Sequence, residues 1–138
     1  MKVFFDSNVY IAEALLGQGA EALIAATISA SWRVFVGEYV LDEVVSVLTD
    51  QFGFSRRFAV LTRQRIVRRT ALVELPASRH LVPDDSKDSP ILKLALEAGS
   101  NYLVTNDRHL RSLDPYEGLR IISMTDYIEL LHEFGLLS

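Results

Sequence analysis

Four acidic residues stand where a parallel sheet collects its chemistry. Asp6 follows the apolar run Val3-Phe4-Phe5, and Asp107 follows Tyr102-Leu103-Val104 across Thr105 and Asn106. Glu43 falls one to two turns into the helical pattern after Val34-Phe35-Val36, and Asp88 opens the helical pattern that leads to Tyr102. Grouped carboxylates raise each other's pKa unless a cation intervenes, so four acids converging on one cleft imply a bound cation. The chain has no cysteine and only three histidines, and hard oxygen donors favour Mg²⁺ or Mn²⁺ over Zn²⁺. Such an ion binds phosphate oxygens, activates water and stabilises in-line displacement at phosphorus. Taken singly, an acid after a strand is commonly a helix N-cap, and Asp84, Asp85, Asp114 and Asp126 are assigned to turns and caps.

The elements that must position these acids are legible as patterns. Unalternating apolar runs suit strands buried on both faces of a parallel sheet. They occur at Val3–Phe5, Val34–Val36, Tyr102–Val104 and Leu119–Ile122, with Ala71–Leu75 as a fifth candidate closed by Pro76. Helical patterns cover Val9–Leu16, Ala20–Ile28, Val40–Leu48, Ser55–Arg69, Pro90–Ala98 and Thr125–Leu137. Pro90 suits a first turn and Gly99 a stop. Strands alternating with helices, joined by right-handed crossovers, predict a three-layer α/β/α domain around a mostly parallel five-stranded sheet. In such sheets function gathers at the carboxyl ends of the strands.

Composition bounds the alternatives. The chain has 138 residues, 49% hydrophobic and 23% charged, which excludes disordered and fibrous classes and predicts one domain over residues 1–138. The absence of cysteine excludes disulfide scaffolds, thiolate metal sites and cysteine nucleophiles. No apolar run approaches a membrane span. Asp6 arrives before a signal-peptide core could form, so a cytoplasmic location is expected. The net charge of −4 gives no global nucleic-acid footprint. Six of the fourteen basic residues nevertheless crowd one segment: Arg56, Arg57, Arg63, Arg65, Arg68 and Arg69. They fit either a solvated helix whose arginine stems cover apolar surface or contacts to RNA phosphates, with Arg57 and Arg68 sharing a face. His80, His109 and His132 are isolated and read as surface or structural, although His109 is near enough to Asp107 to meet a substrate phosphate. Trp32 reads as core or interface.

These residues resemble the PIN-domain ribonucleases, including the VapC-type toxins of toxin–antitoxin pairs. Val3-Phe4-Phe5-Asp6-Ser7-Asn8-Val9 is similar to the family's strand followed by Asp-Thr-Asn, with Ser7 for the commoner Thr. Leu41 to Leu48 is similar to the helix that carries the second acid, which falls at Glu43. Asp88-Ser89-Pro90 and the Ala-rich helix after it, and Tyr102-Leu103-Val104-Thr105-Asn106-Asp107, resemble the later motifs, with Asn106 for the usual Gly. The resemblance implies that Asp6, Glu43, Asp88 and Asp107 bind Mg²⁺ or Mn²⁺ and cut RNA, with Asn8 and Thr105 as polar supports. It also implies an antitoxin partner and a homodimer. Asn106 is expected to take the positive-φ turn that Gly would and to narrow substrate approach. A haloacid-dehalogenase phosphatase would need Asp at position 8, and a receiver domain would need an acidic pair after the first strand. A binding module with lost catalysis, or an RNA-processing nuclease that is not a toxin, stays open.

Overall fold

Consecutive buried residues along a strand mean that both of its faces are covered, and the first strand shows this directly: Val3, Phe4 and Phe5 have no exposed surface. The computed structural model describes residues 1–75 and 89–138. Its strands are β1 (Lys2–Phe5), β2 (Arg33–Val36), β3 (Ala71–Leu72), β4 (Tyr102–Val104) and β5 (Arg120–Ile122). They form one sheet in the order β3-β2-β1-β4-β5, every pair parallel. Phe4 sits opposite Phe35 on one side and Leu103 on the other. The central β1 therefore joins the two halves of the chain.

The helices are α1 (Ser7–Leu16), α2 (Gln18–Ser29), α3 (Glu38–Ser46), α4 (Arg56–Arg69), α5 (Pro90–Glu97), α6 (Arg108–Arg111) and α7 (Met124–Glu133). They flank the sheet to give the expected three-layer α/β/α architecture. No described helix is long and apolar enough to cross a membrane. Phe5 anchors the centre, meeting Tyr10 edge-on at 6.0 Å and Tyr127 at 5.7 Å, a preferred geometry for aromatic pairs. The Thr27 and Tyr127 hydroxyls, 2.5 Å apart, fasten α2 to α7. Trp32 is partly buried, stacked on Tyr102 and edge-on to Phe134, so it closes the core.

Boundaries shift for local reasons. β3 is shorter than the expected Ala71–Leu75; Val73 N–H still donates to the Val36 carbonyl at 2.8 Å, and the ladder stops there. α3 begins two residues before Val40, with Gly37 as its N-cap, and Gly37 also admits a close approach: a Cβ at that position would lie 2.5 Å from Leu94 Cδ1 on α5. The same helix runs on into a π-helical turn, Val47–Gln51. α5 starts with Pro90 in its first turn, and Gly99, at φ +67°, ends it as expected. α7 stops at Glu133 rather than Leu137. Asp114 and Asp126 take the predicted turn and cap positions. Asp114 accepts Ile121 N–H at 2.7 Å and pairs with Arg120, while Asp126 lies in the first turn of α7, where its N–H bonds the Ser123 cap. Asp84, Asp85 and His80 lie outside the described residues.

Candidate active site: an acid-lined cleft at the sheet's carboxyl edge

Asp6 directly follows β1 and is the N-cap of α1. Its backbone N–H continues the ladder to the Val104 carbonyl at 3.0 Å, which fixes it beside the end of β4. Oδ1 accepts from Ser7 N–H at 2.6 Å and from Ser7 Oγ at 3.1 Å; Oδ2 accepts from Thr105 Oγ1 at 2.6 Å. The residue is 3% exposed. Burial pushes its carboxyl pKa up, the hydrogen bonds from Thr105 and Ser7 pull it down, and the charge of Glu43 pushes it up again; the balance is a raised value.

Thr105 is the link between the acids. Fully buried, it donates to Asp6 and accepts Asp107 N–H at 3.0 Å. Asp107 caps α6, with Oδ1 accepting from His109 N–H at 2.8 Å and Leu110 N–H at 3.3 Å. Among the described residues nothing donates to Oδ2 of Asp107, which leaves that oxygen available. Glu43 comes from α3 and accepts a hydrogen bond from the Ser7 hydroxyl. That hydroxyl touches both Asp6 and Glu43 yet has one proton to give, so two ionised carboxylates compete for it. A cation, or a proton on one acid, relieves the competition.

Asp6, Glu43, Asp107 and Asn8 line one open cleft of about 540 Å³, with Tyr39 and His109 among its other walls. Asn8 is exposed and forms no hydrogen bond to the three acids, so Thr105 and Ser7 are the polar supports seen here. Asp88 lies outside the described residues, although Ser89 and Pro90, which follow it, line the same cleft. Among the described residues, no three carboxylate or imidazole groups close into a ready-made metal-binding set. An open, all-oxygen site nonetheless suits Mg²⁺ or Mn²⁺. Mg²⁺ keeps several waters and is commonly held by one or two carboxylates plus substrate phosphate. The buried, raised-pKa carboxyl of Asp6 is the kind of group that a cation would hold ionised.

One expectation needs correction. Asn106 does not adopt positive φ. Its side chain turns away from the cleft and accepts Met124 N–H at 3.1 Å, satisfying a free donor at the start of α7. The residue thus replaces glycine by fastening the turn, and it does not line the cleft. The arginine cluster also divides. Arg63 pairs with Glu38 at 2.7 Å and Asp42 at 3.3 Å, and Arg69 grips the buried Glu13 through two bonds of 2.8 Å, with Arg65 at 3.7 Å. These three hold α4 to α3 and α1. Arg57 and Arg68 are exposed, and neither lines the acid cleft.

Sequence reasoning passed over Tyr39, four residues before Glu43 and hence on the same face of α3. Burial, the charges of Glu43 and Asp6 and a hydrogen bond to Glu43 push its phenol pKa up. The i, i+4 spacing to a candidate acid was the available signal. Ser7 was read only as Thr less a methyl, whereas its hydroxyl is the bridge between Asp6 and Glu43.

A parallel sheet covered by helices on both faces, with acids gathered around one cleft at its carboxyl edge, is an α/β/α domain whose functional groups collect at the strand ends. Residues 2–109, most of the chain, match the PIN domain family, and the chain belongs to that family. PIN domains are generally metal-dependent nucleases. No curated protein and no solved structure matches the chain.

Proposed function

We propose that the chain is a single PIN-type nuclease domain that hydrolyses RNA phosphodiester bonds internally with Mg²⁺ or Mn²⁺. The observation that carries this reading is that Asp6, Glu43 and Asp107 line one cleft and are tied together through Thr105 and Ser7. Asp6 and Asp107, with Asp88, would hold the ion, and Glu43 would complete the set or orient the attacking water. The ion supplies the charge that activates water and stabilises displacement at phosphorus. Thr105 holds the carboxylate of Asp6 and the backbone of Asp107 in one frame, so that neither acid can turn away independently. Incubation with a labelled single-stranded RNA tests the reading. Cleavage within the strand is expected with Mg²⁺ or Mn²⁺, none with EDTA, and none by Asp107→Asn; metal-independent cleavage, or full activity in the variant, would overturn it.

The family resemblance extends the proposal to a cytoplasmic toxin restrained by a protein antitoxin and working as a homodimer. Induced expression should arrest growth, and co-expression of a small DNA-binding protein encoded immediately upstream should relieve it. A nuclease that leaves growth unchanged would instead be a processing enzyme. Light scattering at high micromolar concentration should give twice the chain mass; a strict monomer removes the dimer.

A further inference from the structure

The acid cleft adjoins a second space. A largely apolar pocket of about 340 Å³ is walled by Val73, Leu75, Leu94, Tyr39 and Pro90. Tyr39 and Pro90 line both the pocket and the cleft. Tyr39 is 46% exposed, a large aromatic residue left open at the boundary between them.

The two spaces differ in what they can accept. The cleft offers carboxylate oxygens that would meet phosphate through a cation. The pocket offers mostly aliphatic walls; of the two acids that also line it, Glu38 is paired with Arg63, and Glu74 disfavours a phosphate without a cation. A neutral planar group suits it, and its volume lies at the small end of ligand sites, room for one such group. In a nucleic-acid strand each phosphate is joined through its sugar to a base, so a phosphate held in the cleft brings a base to the neighbouring wall.

We infer that this pocket receives one unpaired nucleobase of the RNA whose phosphate lies at the acids, with Tyr39 as the surface on which the base stacks. The inference rests on the ribonuclease reading above and deepens it by assigning the residues that hold a base. A paired base is already stacked within a duplex and cannot enter. Stacking on an aromatic side chain depends little on base identity, so the pocket selects strandedness before sequence.

Binding tests this directly. A short fluorescein-labelled single-stranded RNA is titrated by anisotropy with Ca²⁺ in place of Mg²⁺, a hard cation of looser geometry, and the same strand is then titrated annealed to its complement. Wild type should bind the single strand at least tenfold tighter than the duplex. Tyr39→Ala should weaken single-strand binding roughly tenfold, in the lower part of the range for one lost base stack, and bring it close to duplex binding. Tyr39→Phe keeps the ring and should retain affinity within about twofold. The rise in melting temperature with Mn²⁺ should persist in both variants, showing that the acids are undisturbed. If wild type cuts RNA while Tyr39→Ala binds the single strand as wild type does, the inference fails alone, and the pocket is left to a protein partner. A wild type that neither binds nor cuts any RNA overturns the ribonuclease reading and this inference with it.

Discussion

Replacing Thr105 by Val keeps the side chain's shape and removes one hydroxyl, and the structure sets the size of the loss. The hydroxyl donates to the Asp6 carboxylate at 2.6 Å and accepts Asp107 N–H at 3.0 Å. A hydrogen bond to a charged group contributes about 1.5–3 kcal/mol, and a neutral one about 0.5–1.5 kcal/mol. Asp107 is exposed, so water partly replaces the second bond and its loss sits at the low end. The expected cost is about 2–4 kcal/mol. With an unfolding entropy of about 2.1 cal/mol/K per residue, 138 residues lose about 3.4 °C of Tm per kcal/mol, giving a fall of roughly 7–14 °C. The Thr105 bond favours the ionised form of Asp6, so its removal raises that pKa further. The deficit is therefore largest at neutral pH and shrinks as acid protonates Asp6. Thermal and urea melts between pH 4 and 8 measure this, with Thr105→Ser, which keeps the hydroxyl, as the control. A Thr105→Val variant within about 0.5 kcal/mol of wild type at neutral pH would refute the link between the acids.

Asp6→Asn should abolish RNA cleavage while raising the melting temperature of the metal-free protein at neutral pH. Because burial raises the folded pKa of Asp6 above its ordinary value of 3.8, ionised Asp6 destabilises the fold at neutral pH. That cost declines as pH falls through the folded pKa and vanishes below the unfolded one, so the variant's gain should fade in acid; a gain independent of pH would count against the account. Mg²⁺ or Mn²⁺ at ten times its dissociation constant should stabilise wild type by about 1.4 kcal/mol, seen as a rise of roughly 5 °C, and Asp6→Asn should lose most of the rise. Arg69→Ala leaves Glu13, 8% exposed, without its two-bond partner and should cost about 2–4 kcal/mol in urea melts, since removing one member of a buried pair strands the other charge. If Arg57 and Arg68 each touch a phosphate, changing both to Ala should lower the slope of log affinity against log salt for single-stranded RNA by about 1.4; an unchanged slope removes them from the interface.

The sheet was readable because it is parallel and buried: Val3–Phe5 and Tyr102–Val104 show as uninterrupted apolar runs, and their carboxyl ends point to Asp6 and Asp107. Gly99 and Pro90 bounded α5 by backbone chemistry alone. What escaped depended on partners distant in the chain. Arg69 and Glu13 are 56 residues apart, and nothing in the spacing of the arginines separates those that brace α4 from those that face solvent. Asn106 was misread because local propensity suggests positive φ, whereas a donor at the start of α7, 18 residues on, claimed its side chain. The π-helical turn at Val47–Gln51 has no mark in composition. Asp88, singled out both by its place before the α5 pattern and by the family motif, falls outside the described residues.

The position of β1 at the middle of the sheet bears on when the site can exist during synthesis. β1 and β2 lie within residues 2–36 and β3 follows by residue 72, so three of the five strands precede the other two by some thirty residues. The neighbour on the other side of β1 is β4, and Thr105, which secures Asp6, lies 99 residues along the chain from it. A growing polypeptide therefore carries Asp6 and Glu43 long before it carries the hydroxyl that fixes one of them or the acid at 107. For a chain read as an RNA-cutting enzyme, this order of assembly matters at the ribosome, itself built of RNA. Everything up to β4 emerges without a complete cutting centre, and the centre closes only when the far side of the sheet docks.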